Sequence, residues 1–368
     1  MLILTAPGQG AQTPGFLAPW LELPGIAEQL GNWSELAGRD LLRLGTTGSA
    51  EEITDTAVAQ PLLVAAALAV ASLLPEDEPS SFCPGTQSSS EATSKRRGFA
   101  GAAAGHSVGE LAAGAIAGVM SAEDAIKLTR VRGEAMAAAC GATPTGMTAV
   151  LGGDEDEVLA AIDAAGLTPA NVNAAGQIVA GGTLAELEAF AANPPAKTRL
   201  RPLRVAGAFH TVHMAPAVAA LAAAAADVPV KDPTLALLSN RDGAVVTSGS
   251  DWVERVTRQV ANPVRWDRCM ATMTGLGVTA LIELLPGGTL TGIAKRSLPG
   301  VELLAIKTPD QLDAARTLIA AHRDARPMAQ TAIVSDAHHG TFPGGRSPQT
   351  PRVRENNGPH NGSEQKEA

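Results

Sequence analysis

The 368-residue chain has no tyrosine, and aromatic residues make up only 3% of it. A core with so few rings must be packed from small aliphatic side chains, and hydrophobic residues, at 45%, are numerous enough for a globular protein. Cysteine is scarce too. Cys83, Cys140 and Cys269 are an odd number with no CxxC spacing, which argues against a disulfide framework and against a zinc site, so no metal is expected. Positive charge is in deficit, with 28 Lys and Arg against 37 Asp and Glu for a net charge of −9. Binding to nucleic-acid phosphates needs clustered cations, and the one run of them, Lys95-Arg96-Arg97, sits in a polar stretch. Long apolar runs are missing as well. The longest, Pro61 to Leu74, is too short to span a bilayer. The opening MLILTAPGQG lacks a charged region ahead of its short apolar run and reads as a buried strand, not as a signal peptide. The composition therefore predicts a soluble, cytoplasmic protein with no nucleic-acid or membrane partner. Nothing in it suggests an obligate dimer, and a monomer is expected.

The length exceeds that at which one core usually stops growing, so two subdomains are expected. Leu2 to Ala6 reads as a strand stopped by Pro7-Gly8, Ile26 to Leu44 as helical, and Val58 to Leu74 as a longer apolar helix. Residues 75–98, rich in Glu, Ser, Pro and Thr, read as an exposed mobile insert. Phe99 to Ala104 is a small-residue strand and Glu110 to Val119 a helix. Ser121 then caps a helix that runs to about Cys140. Residues 145–207 follow the order strand (Met147 to Leu151), helix, strand (Asn171 to Ala174), strand (Gln177 to Ala180), helix, strand (Thr198 to Val205). That is the ferredoxin-like order. Strands and helices then alternate from residue 208 to 325, which implies a mostly parallel sheet covered by helices. The expected fold is α/β: a hydrolase-like catalytic subdomain from 1–144 and 208–325, with a ferredoxin-like subdomain at 145–207. The segment 326–368 reads as a disordered tail.

The chemistry centres on Gly105-His106-Ser107-Val108-Gly109. A GxSxG match gains weight when a strand precedes it and a helix follows, as here. A serine on so tight a turn needs neighbours without a Cβ, and the helix beyond it points free N–H groups at a forming oxyanion. The bland alternative is a tight strand-helix turn without chemistry. A serine hydroxyl also needs a base. Outside the tail the histidines are His106, His210, His213 and His322. His106 adjoins the serine, but neighbours at a sharp turn diverge, so it is expected to pack beneath the turn and is kept only among the substrate-contacting candidates. His322 lies in the last helix and reads as a surface residue. His210 and His213, in GAFHTVH, re-enter the sheet, and His210 is the better candidate because it sits in the loop. No acid between Ser107 and His210 stands in a strand-end loop, because all lie on helical faces that look solvated. The group orienting the base is therefore expected to be a backbone carbonyl.

At these residues the chain resembles a known family. PGQGAQ, QPLLVAAALA, GHSVGE, Arg130-Val131-Arg132-Gly133, NVNAAGQIVAGG, GAFHT and RQVANPVRW occur in an order that closely resembles the malonyl-CoA:acyl carrier protein transacylases and the related acyltransferase domains of polyketide synthases. The matches run from about residue 4 to 320; the polar insert is longer than the family normally carries, and the tail after residue 325 has no family counterpart. The resemblance implies that Ser107 is the nucleophile and His210 the base. It implies an oxyanion hole from the backbone N–H groups of Gln9 and Val108, and a pairing of Arg132 with the malonate carboxylate. Gln259 would line the site and hold the second histidine nitrogen through its carbonyl. Phe209 would fill the space of an α-methyl group and favour malonyl over methylmalonyl. The implied substrate is malonyl-CoA, the partner an acidic acyl carrier protein, and no cofactor is called for. Two rivals remain. A serine thioesterase or other hydrolase would place an acid in a strand-end loop and no arginine in the pocket, and a non-catalytic acyl-CoA-binding module would not be acylated at all.

Overall fold

A computed structural model describes residues 1–74 and 100–322. The calls on the 75–98 insert and on the 326–368 tail lie outside the described residues. The chain opens with β1 (Leu2–Ala6), buried along its whole length, and continues with β2 (Ala102–Gly105), β3 (Thr145–Gly152), β4 (Thr168–Ala174), β5 (Gln177–Thr183) and β6 (Thr198–Pro202). The later strands are β7 (Ala236–Leu238), β8 (Val245–Val246), β9 (Val264–Arg265), β10 (Ala280–Glu283) and β11 (Glu302–Ala305).

Six strands form the larger sheet, in the order β11-β10-β1-β2-β7-β8. All neighbours are parallel except β8, which runs antiparallel to β7. Buried parallel strands carry apolar residues on both faces, and β1 follows that rule. Leu2, Leu4 and Ala6 enter one core cluster and Ile3 another. Helices Thr56–Ser72 and Ala122–Cys140 contribute to the first cluster, and Trp266–Gly275 and Thr289–Ser297 to the second. Thr56–Ser72 is apolar nearly all round and buried from Ala59 to Ala71, as such a helix must be. Gly133 lets Ala122–Cys140 lie close against it, since a Cβ there would come within 3.0 Å of the Thr56 carbonyl oxygen.

The smaller sheet has the order β6-β3-β5-β4-β9. Its first four strands are all antiparallel, with β5 lying between β3 and β4. This is the split arrangement expected for residues 145–207. Helices Glu155–Ala164 and Leu184–Ala192 cover one face through Val158, Ile162, Leu187 and Phe190. Met147, Ala170 and Val179 on the other face pack into the larger core. β9 extends this sheet in parallel with β4.

Some boundaries differ from the sequence reading. Ile26 to Leu44 is not one helix: Ile26–Ala37 ends at Gly38, which takes a left-handed φ of 60°, and Leu41–Thr47 restarts under an Asp40 cap. β8 and β9, of two residues each, are too short to leave a periodic signal. His322 is not simply at the surface, since its Nδ1 lies 2.7 Å from the Thr279 hydroxyl. Among the described residues no helix is long and apolar enough to cross a membrane.

Candidate active site

Three adjacent parallel strands end at one place. β1 runs into Pro7-Gly8-Gln9, β2 into His106-Ser107, and β7 into Ser239-Asn240. The carboxyl ends of parallel strands are where open α/β sheets bind ligands. Ser107 has a φ of 55°, a left-handed conformation that costs a residue with a Cβ about 1–3 kcal/mol. The surroundings enforce it. The Ser107 N–H donates to Asn240 Oδ1 at 2.8 Å, and its carbonyl accepts from Glu110 N–H at 3.1 Å. The two glycines have no room for a side chain. A Cβ on Gly105 would lie 2.0 Å from the carbonyl carbon of Gly109, and one on Gly109 would lie 2.3 Å from the Ala6 oxygen. Helix Gly109–Ile116 starts directly behind the serine, so its positive end faces the site. Among the described residues neither the Gln9 nor the Val108 backbone N–H has a protein acceptor. The Gln9 side chain turns away to donate to the Thr54 carbonyl at 3.1 Å.

His210 comes from the loop that follows β6, with a φ of 61° and its N–H bonded to the Val260 carbonyl at 3.0 Å. Its Nε2 lies 2.7 Å from Ser107 Oγ and its Nδ1 2.8 Å from the Gln259 carbonyl. A carbonyl only accepts, so Nδ1 carries the hydrogen and Nε2 is left bare to take the serine proton. Burial, aided by the nearby Arg132 charge, pushes the His210 pKa down to about 3, so the ring is neutral at physiological pH. His213 is not in this array. It lies in the 3₁₀ turn Val212–Met214, and its N–H donates to Thr211 Oγ1 at 3.3 Å.

Arg132 projects from helix Ala122–Cys140 and is only 1% exposed. Nη1 donates to Gln60 Oε1 at 2.7 Å, and Nη2 donates to Gln259 Oε1 at 2.9 Å and to Ser107 Oγ at 3.3 Å. Nε has no partner, and among the described residues no carboxylate lies within ion-pair distance of this guanidinium. Burial lowers its pKa to about 10, opposed by the charge of Glu110, and it remains a cation. Its neighbour Arg130 is exposed and paired with Glu134 at 3.2 Å. Phe209 is buried in the larger core beside the base.

The sequence reading missed three residues here. Glu110 is not on a solvated face: it is 1% exposed. One carboxyl oxygen accepts from the Asn240 N–H at 2.8 Å and the other from Gln259 Nε2. Burial raises its pKa to about 8, against the pull of the Asn240 N–H and the charges of Arg132 and Arg255. Asn240 is fully buried and braces the nucleophile turn from both sides, since its Nδ2 also donates to the Gly105 carbonyl at 2.8 Å. Gln60 holds the far side of Arg132. Glu110 stands within GHSVGE itself, but its burial could not be read from an acid in a helical pattern. His106 diverges from the serine and packs away from it. Its ring stands edge-on to Trp266, with centroids 5.7 Å apart, and Nε2 lies 2.8 Å from Asn173 Oδ1 on β4. It makes no contact with Ser107 Oγ.

This arrangement can form an acyl ester on Ser107 and hold an anion beside it. Residues 88–334 match the acyl transferase domain family. The chain belongs to the acyl transferase family. Its relatives in that family include the malonyl CoA-acyl carrier protein transacylase of Mycobacterium tuberculosis H37Rv, 55% identical over 85% of this chain and 98% of the relative. The crystal structure of the M. tuberculosis enzyme superposes with a TM-score of 0.78 at 54% identity, covering 86% of this chain and 99% of that one. A malonyl-transacylase solved in complex with a type II polyketide synthase acyl carrier protein matches with a TM-score of 0.75 at 28% identity, over 86% of this chain and 99% of its own.

Proposed function

We propose that this member of the family transfers the malonyl group of malonyl-CoA to the phosphopantetheine thiol of an acyl carrier protein, for fatty acid or polyketide synthesis in the cytoplasm. The observation that carries the reading is Arg132, a buried guanidinium with no carboxylate partner among the described residues, which reaches to 3.3 Å from Ser107 Oγ. A buried charge needs a counter-charge, and the fork of an arginine matches a carboxylate. An acyl group carrying its own carboxylate supplies it.

In the first half-reaction His210 Nε2 takes the Ser107 proton while Oγ attacks the thioester carbonyl. The N–H groups of Gln9 and Val108 receive the oxyanion. The C–S bond then breaks, and the departing CoA sulfur takes the proton from Nε2. The second half-reaction runs in reverse with the carrier thiol as nucleophile. Arg132 holds the malonyl carboxylate throughout, and Phe209 closes the space that an α-methyl branch would need. The carbonyl of Gln259 keeps the ring in the right tautomer, so no acid is required. These steps use only side chains, backbone and the two thiols.

The carrier meets the site along β6. Lys197, Arg199, Arg201 and Arg204 are exposed there beside Leu203, in a stretch with no acid between Glu188 and Asp227. This edge leads straight into the His210 loop and offers a basic face to an acidic partner, despite the net negative charge of the chain.

The test is release of CoA from malonyl-CoA with and without holo carrier protein. Acceptor-dependent turnover is expected, and rapid hydrolysis without an acceptor would make the protein a thioesterase.

A further inference from the structure

Gln259 does two things at once. Its main-chain carbonyl holds the base, and its side-chain oxygen holds Arg132. A glutamine amide is nearly symmetric in shape, so something must decide which end faces the guanidinium. The decision is made at Nε2, which faces three oxygens: Glu110 Oε2, Asn240 Oδ1 at 3.1 Å, and the Ser107 carbonyl at 3.2 Å. Reversing the amide would set its oxygen against all three and its NH2 against Arg132. Two of the three acceptors are already engaged elsewhere. Asn240 Oδ1 accepts from the Ser107 N–H, and the Ser107 carbonyl accepts from the Glu110 N–H. Among the described residues Glu110 Oε2 has no other donor, and the carboxyl sits in the first turn of helix Gly109–Ile116.

We propose that Glu110 is a positioning residue for malonyl selectivity: by gripping the Gln259 amide nitrogen it turns the amide oxygen onto Arg132 and aims the guanidinium at the substrate carboxylate. This rests on the reading of Arg132 given above. Glu110 touches neither Ser107 Oγ nor His210; Gln259 links it to Arg132, and Asn240 links it to the backbone of the Ser107 turn. Burial holds the carboxyl pKa up at about 8, against the pull of the Asn240 N–H and the charges of Arg132 and Arg255.

In Glu110→Gln one amide must serve two donors, the Asn240 N–H and Gln259 Nε2. It can accept from only one, and the Gln259 amide loses its anchor. A buried hydrogen bond to Gln259 Nε2 is at stake, so the KM for malonyl-CoA should rise about ten-fold. The drop in kcat should be smaller, and the malonyl-to-acetyl preference should fall by a similar factor. A scaffolding role alone would lower Tm and depress both substrates equally, and that result overturns the proposal. A double-mutant cycle with Gln259→Leu makes the route explicit. Gln259→Leu should itself lose the preference, and adding Glu110→Gln should change it no further, whereas additive effects overturn the proposal. If Glu110→Gln does not fold, Glu110→Asp keeps the carboxyl but draws it back from Nε2. It should raise the malonyl-CoA KM with kcat less affected, and an unchanged KM counts against the idea. Arg132→Ala separates the two levels. If it leaves malonyl-CoA KM unchanged, the reading of Arg132 fails and this proposal with it. If it raises KM while Glu110→Gln does not, only the role of Glu110 fails.

Discussion

Replacing Arg132 by alanine should invert the acyl preference of the enzyme. The guanidinium is 1% exposed and without an ion-pair partner among the described residues, so the malonyl carboxylate loses its only nearby buried cation when the side chain is cut. Removing one member of a buried charged pair costs about 3–5 kcal/mol. At about 1.4 kcal/mol per factor of ten, kcat/KM for malonyl-CoA should fall by roughly 10² to 4 × 10³. Acetyl-CoA has no carboxylate to strand, so acetyl transfer should hold or rise. The fold should survive. Gln60 Oε1 and Gln259 Oε1 each lose a donor, a cost of about 1–3 kcal/mol apiece. Against this, a buried cation with an unpartnered Nε disappears. The assay is transfer of labelled malonyl and acetyl groups to holo carrier protein, with a thermal melt as control. Unchanged malonyl transfer, or an equal loss for both acyl groups in a well-folded variant, would refute the reasoning.

The base predicts its own pH profile. His210 acts when neutral, and with its pKa held near 3 by burial and by Arg132, the acylation rate should stay level as pH falls through 6.5, the ordinary imidazole value. An acid limb centred at or above 6.5 contradicts this, and in Arg132→Ala the limb should move upward, since one lowering influence is gone. Gly109→Ala places a Cβ 2.3 Å from the Ala6 oxygen. That contact is with backbone and cannot yield cheaply, so stability should drop by about 1–3 kcal/mol or more with loss of activity; a wild-type melt and rate would show that the turn is looser than described. Reversing Arg199, Arg201 and Arg204 to glutamate should raise the KM for carrier protein about ten-fold and remove its salt dependence, with far less effect on Ser107 loading. Equal effects on both half-reactions would move the docking face elsewhere.

What could be read from the sequence follows the range of each physical signal. The nucleophile turn was legible because two glycines around a serine are forced by contacts within a few residues, and the alternation of strands and helices is equally local. His210 could be reached by elimination, and the absence of a loop acid pointed to a backbone carbonyl, which the family resemblance identified as that of Gln259. The buried support was not legible. Asn240 reaches the turn from the end of a strand far along the chain, with no motif to mark it. Glu110 looks like an ordinary first-turn acid until the helix is packed under Gln259 and Asn240. Gln60 stands in an apolar helix as the one polar side chain there that meets Arg132. The break at Gly38 was hidden because apolar periodicity continues through it into Leu41–Thr47.

The central claim is a malonyl group held on Ser107 between two thiols. Intact-protein mass spectrometry after brief exposure to malonyl-CoA, with peptide mapping, measures it most directly. The account predicts one malonyl group on Ser107, absent in Ser107→Ala and discharged on addition of holo carrier protein with malonyl appearing on the carrier. A protein that stays unmodified, or that carries malonyl at another residue, would contradict it.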